Sequence, residues 1–173
     1  MLVRSIHHWA FMNAAHLHII LVHLPIILVP TATIILATGM LIKQSAVTSV
    51  ALSLFVVASL FSIPAFLIGE EAEEMIEHLP GISEDVIEEH EEAAEVAFWS
   101  TLLVGGVGLG TLAIRNRAPG LSKLAMKLLI LTGTAASTSL AYTGYEGGKI
   151  RHPEAYDNTL PSETEDRDNN EDD

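Results

Sequence analysis

The chain contains no cysteine. That removes disulfides, thiolate-linked haem and iron–sulfur clusters, and leaves histidine and carboxylate side chains as the available metal ligands. Basic residues are scarce: 9 Lys and Arg stand against 22 Asp and Glu, for a formal net charge of −13. A protein that grips nucleic acid needs a basic footprint, so nucleic acid is not expected as a partner. No short His-Glu-x-x-His metal signature occurs, and no nucleophile stands beside an evident base, so nothing marks the chain as an enzyme. The N-terminus, MLVRSIHHWAFMNAAHLH, reads as a poor signal peptide because histidines interrupt its apolar part, and it is expected to be retained.

What is abundant is apolar sequence, at 49% of residues. It coexists with the acidic charge because the two are segregated. Leu17–Ile42, Ala46–Ile68, Val96–Ile114 and Leu124–Tyr142 hold no Asp, Glu or Arg. With their flanking turns these runs reach the roughly 20 residues that cross a bilayer. The expected architecture is all-α: an integral membrane four-helix bundle occupying 16–152, with spans at about 17–42, 46–69, 94–114 and 122–145. Residues 1–15, with Trp9 and Phe11, read as an interfacial amphipathic segment. Residues 153–173 read as a disordered acidic tail. Pro25 and Pro30 fall inside the first span and predict a kink there; Pro64 falls inside the second.

Between the second and third spans, residues 70–95 carry twelve carboxylates, His78 and His90, and no Lys or Arg. Leu79-Pro80-Gly81-Ile82-Ser83 interrupts this stretch, with Ser83 as a natural N-cap. The apolar residues on either side recur at helical spacing, so 70–95 is predicted to be a helical hairpin that extends two membrane helices outside the bilayer. His90 shares a stripe with Ala94, Ala97, Thr101, Gly105 and Gly108. Small residues at that spacing let helices approach closely, so the stripe, and His90 with it, should face the bundle.

The short loops carry Lys43, Arg115, Arg117, Lys123 and Lys127 and no acid. By the positive-inside rule they are cytoplasmic, which sets the hairpin and both termini on the outer side of a bacterial inner membrane. Eight histidines lie on or near that outer side. His7 and His8 read as surface residues. Counting along the helices from the cytoplasmic ends places His18, Glu70 and His90, with Glu146 nearby, in one layer at the outer boundary. His23 lies about one turn deeper. Bundle cores hold metals and haem with side chains from facing helices, and ionisable groups at the membrane are costly enough to signal function. The candidate ligands for haem b are therefore His18, His23 and His90. For zinc, iron or copper, Glu70 and His78 join them.

The ordered motifs His18-x-x-x-x-His23-Leu24-Pro25, Gly69-Glu70 with Glu73, His78-Leu79-Pro80-Gly81, His90, and Gly147-Gly148-x-Ile150-Arg151-His152-Pro153-Glu154 cover most of 16–154. In these the chain resembles a family of four-span bacterial membrane proteins described as a domain of unknown function. The resemblance implies four membrane helices and no particular activity. It adds Arg151, His152 and Glu154 to the candidate site and leaves Glu146 outside the pattern. Three functions stay open at this point: a redox or metal-binding protein beside respiratory or other membrane redox components, a cation-handling or transport accessory, and a structural subunit that docks a partner through its acidic hairpin. A transport path finds no relay in the inner halves of the spans, which lack ionisable groups.

Overall fold

The computed structural model describes residues 3–77 and 82–156, with side chains from Ala14 onward except those of Arg151 and Glu154. Four long helices make up nearly all of it: α1 (Val3–Leu41), α2 (Ser45–Glu74), α3 (Glu84–Ile114) and α4 (Pro119–Arg151), followed by a 3₁₀ turn at Pro153–Ala155. No strand occurs among the described residues. All four helices are long and apolar enough to cross a membrane. Each also exposes large aliphatic side chains, such as Ile34, Leu67, Leu103 and Leu131. A water-soluble bundle would bury such residues; here they form the lipid-facing belt.

The helices neighbour one another in ring order, α1 with α2, α2 with α3, α3 with α4, and α4 closing onto α1. α1 and α3 therefore stand diagonally across the bundle. α1 runs as one helix from Val3, so the segment expected to lie apart at 1–15 is continuous with the first span from there on. α1 also continues through Pro25 and Pro30, and α2 through Pro64. α2 and α3 overrun their apolar parts into the acidic stretch, up to Glu74 and from Glu84, as a hairpin of extended membrane helices requires. Ser83 is the residue before α3, although its side chain forms no capping bond. The turn at 78–81 and the tail from 157 lie outside the described residues.

The core centres on Phe55, fully buried among Val29, Leu36, Leu52, Val104 and Leu129. Its size is accommodated by glycines. A side-chain carbon at Gly133 would stand 3.2 Å from the Phe55 ring, and one at Gly108 3.2 Å from the Leu52 backbone oxygen. Close helix approach of this kind is how membrane bundles gain dispersion energy where the hydrophobic effect offers little. At the end of α3, the Arg115 guanidinium donates to the Ser49 hydroxyl and, at 3.2 Å, to the Ser45 carbonyl. The α1–α2 turn closes by Lys43 entering the left-handed region (φ 56°), with the Gln44 N–H donating to the Gly39 carbonyl at 2.9 Å.

Candidate functional site

The two diagonal helices each present one half-buried imidazole at the hairpin end of the bundle. His18 on α1 reaches α2, where its Nδ1 lies 2.9 Å from the Ala65 carbonyl oxygen. His90 on α3 reaches α4, where its Nδ1 lies 3.1 Å from the Thr143 carbonyl oxygen. A carbonyl only accepts, so Nδ1 is the protonated nitrogen of each neutral ring and Nε2 keeps its lone pair. A carbonyl that takes the Nδ1 proton in this way fixes the ring's tautomer and orientation.

Each ring also rests against a glycine one turn beyond its carbonyl. A carbon added at Gly69 would meet His18 Cε1 at 3.5 Å, and one at Gly147 would meet His90 Cε1 at 3.0 Å. The two helical hairpins thus carry the same unit: a histidine on the first helix, a carbonyl acceptor on the second, and a glycine one turn later as the seat of the ring. These acceptors and the part played by Gly69 and Gly147 escape a reading of the sequence alone. The glycines are visible there, but nothing in the string says which ring they face. Gly148, beside Gly147, serves another contact, since a side chain there would collide with the Tyr156 hydroxyl. Tyr156 folds back over α4 and stacks edge-on against Tyr145, ring centres 4.9 Å apart.

The remaining candidates are placed differently. His23 is exposed and its Nδ1 bonds to the Ile19 carbonyl of its own helix, so it does not meet His18 and His90 as a third inward ligand. Glu70 is exposed, and so is His152. His78 and the Glu154 side chain lie outside the described residues. Among the described residues no three His, Asp or Glu side chains converge in a ready metal cage. Glu146 does reach the layer and is buried at 1% exposure. Its Oε2 is taken by Lys149 Nζ at 2.7 Å, and Lys149 also stands 3.5 Å from Glu89 on α3. Lys149 thereby neutralises a buried carboxylate that would otherwise be costly.

Above the rings, Glu73, Glu77, Glu84, Glu88 and Glu91 with Ile87 line a cleft of about 320 Å³ between the two arms of the hairpin. Glu73, beyond the apolar part of α2, has its pKa pushed up to about 7. The largest cause is its hydrogen bond to Glu91; desolvation and the charges of Glu91, Glu77 and Glu70 add to it.

Four apolar helices in a closed ring, with the acidic and histidine side chains gathered at one end, define an integral membrane protein. Residues 14–154 match the family described as "predicted membrane protein (DUF2231)", and the chain belongs to it. Comparison with curated proteins and with solved structures gives no match.

Proposed function

We propose that this membrane protein holds haem b or a transition-metal ion between His18 and His90 and serves electron transfer near the outer membrane face. The observation that carries the reading is the paired anchoring: both Nδ1 atoms are committed to carbonyls of neighbouring helices, and both Nε2 lone pairs are left for a Lewis acid. Two neutral imidazoles from diagonal helices would suit haem iron, and would suit copper, iron or zinc as a partial ligand set. Haem iron or copper supplies a one-electron couple when bound; zinc supplies none. The chain's own residues orient the donors through Ala65 and Thr143, and hold the rings on Gly69 and Gly147. Glu70, His78, His152 and Glu154 remain candidates for completing the shell.

The positive short loops orient the pair toward the periplasmic side of a bacterial inner membrane, where respiratory-chain or other membrane redox proteins are the expected partners. The acidic cleft favours a second reading, in which the hairpin gathers cations for a transport partner.

The test is an absorption spectrum and elemental analysis of the purified protein. A Soret band, or stoichiometric iron or copper, is expected in wild type, lost in His18→Ala and in His90→Ala and retained in His23→Ala. Absence of both signals in wild type overturns the reading, as does loss in His23→Ala alone.

A further inference from the structure

Thr101 is wholly buried in α3, yet its Oγ1 has no hydrogen-bond partner in the protein. Helical threonines usually avoid this by donating to the carbonyl one turn back, as Thr33 and Thr111 do here. For Thr101 that carbonyl belongs to Ala97, which already accepts the Ser100 hydroxyl at 2.9 Å. An unsatisfied buried hydroxyl is costly, and more so in a bilayer, where no bulk water competes.

Thr101 lines a cavity of about 60 Å³ to which all four helices contribute. The cavity wall is mostly apolar, with Val22, Pro25, Phe66, Phe98 and Leu140 around it. Two further hydroxyl residues line it, Ser62 on α2 and Thr143 on α4. Both hydroxyl protons are already spent, Ser62 on the Ser59 carbonyl at 2.8 Å and Thr143 on the Ala93 and Ser139 carbonyls at 2.9 and 3.0 Å. Their oxygens can still accept. Ala65 and Thr143, whose carbonyls hold the two imidazoles, also form part of the wall.

We propose that this cavity is a water site within the membrane, where one or two bound waters accept from Thr101 Oγ1 and donate to the hydroxyl oxygens of Ser62 and Thr143. A water takes about 30 Å³ of liquid volume and needs two to four polar partners; the volume suffices, and the hydroxyls of Thr101, Ser62 and Thr143 are the partners the proposal assigns. Thr101 lies about three helical turns, roughly 16 Å, inward of His90. The water site stands whether or not the pair holds a metal.

The dry and hydrated cavities predict opposite signs for one substitution. In a dry cavity, Thr101→Val removes an orphan hydroxyl at nearly constant shape and raises the melting temperature. In a hydrated one it strips the water of its donor and lowers the Tm of the full-length protein in detergent by roughly 2–4 °C. Thr101→Ser, which keeps the hydroxyl, should lose less. Ser62→Ala and Thr101→Val should combine less than additively, since either one breaks the same bridge. A direct reading comes from solid-state NMR of the wild-type protein in lipid, where magnetisation should pass from water to the Thr101 methyl. A rise or no change in Tm with Thr101→Val overturns the proposal, as does absence of water transfer to that methyl.

Discussion

The two glycine seats are alike in kind but differ in tightness, and that difference yields a quantitative test. A methyl at Gly147 would stand 3.0 Å from His90 Cε1 and 3.3 Å from Nδ1. Carbon atoms rest comfortably at about 3.5–4.0 Å, so the ring must give way by a few tenths of an ångström. Its Nδ1–H bond to Thr143, already 3.1 Å, has little slack for that. Overpacking of this order costs about 1–3 kcal/mol, and the better helix propensity of alanine returns about 1 kcal/mol. Gly147→Ala should therefore be neutral to about 2 kcal/mol destabilising. At Gly69 the same methyl meets His18 at 3.5 and 3.7 Å, ordinary contact distances. The propensity gain is then unopposed, and Gly69→Ala should stabilise by about 0.5–1 kcal/mol. Thermal unfolding in detergent measures the energies, and haem or metal content of the same samples measures the site. Bound ligand should fall in Gly147→Ala and persist in Gly69→Ala. Equal behaviour of the two variants in both assays would refute the seat argument.

Other consequences are direct. Gly105→Ala places a methyl into the Ser59 side chain and 3.1 Å from the Phe55 carbonyl oxygen, so it should destabilise by about 1–3 kcal/mol. Adding Ser59→Gly should recover most of that loss in the same melting assay. Lys43→Gly relieves a non-glycine residue at φ 56° and should stabilise by up to about 1 kcal/mol, read as a higher Tm. Glu73 keeps a proton in the folded chain up to about pH 7 that the unfolded chain releases near 4.5. The native state binds more protons across that window, so stability should fall as pH rises from about 4.5 to about 7 and then level off. Glu73→Gln should flatten this part of a Tm-against-pH curve; an unchanged slope would show that the Glu73–Glu91 contact does not set it.

The bundle itself was written plainly in the sequence, because long apolar runs free of acids leave little choice of structure in a bilayer. The inward direction of His90 was equally legible: the stripe through Ala97, Thr101, Gly105 and Gly108 is buried as its small residues required. Chain counting also put His18 and His90 at one level, since helix rise is fixed. Counting gives depth and not azimuth, and there the reading ran out. His23 is close to the layer in depth, yet it lies on the exposed side of α1 and bonds to its own helix. Glu70 neighbours the glycine that seats His18, and its own side chain is exposed. The Glu146–Lys149 pair was equally hidden, because three-residue spacing permits contact without saying that the carboxylate is buried.

The likeness of the two hairpins bears on where a ligand would sit. No repeat was evident in the sequence, and the structure explains why. The stretch from His90 to Gly147 is longer than that from His18 to Gly69, so no constant offset superimposes both pairs. What repeats is a geometric unit made of three parts, only two of which are side-chain identities; the third is a main-chain carbonyl that any residue supplies, here Ala65 and Thr143. α1 and α3 run in the same direction and stand diagonally, so the two units stand on opposite sides of the bundle at the same end. A group held by both imidazoles would sit between the two helical hairpins. Its binding would add a link between halves that pack mainly through α2 with α3 and α1 with α4. Loss of either imidazole should accordingly cost the same bound group, whereas the solvent-side acids, being outside the repeated unit, can modulate its charge without being required to hold it.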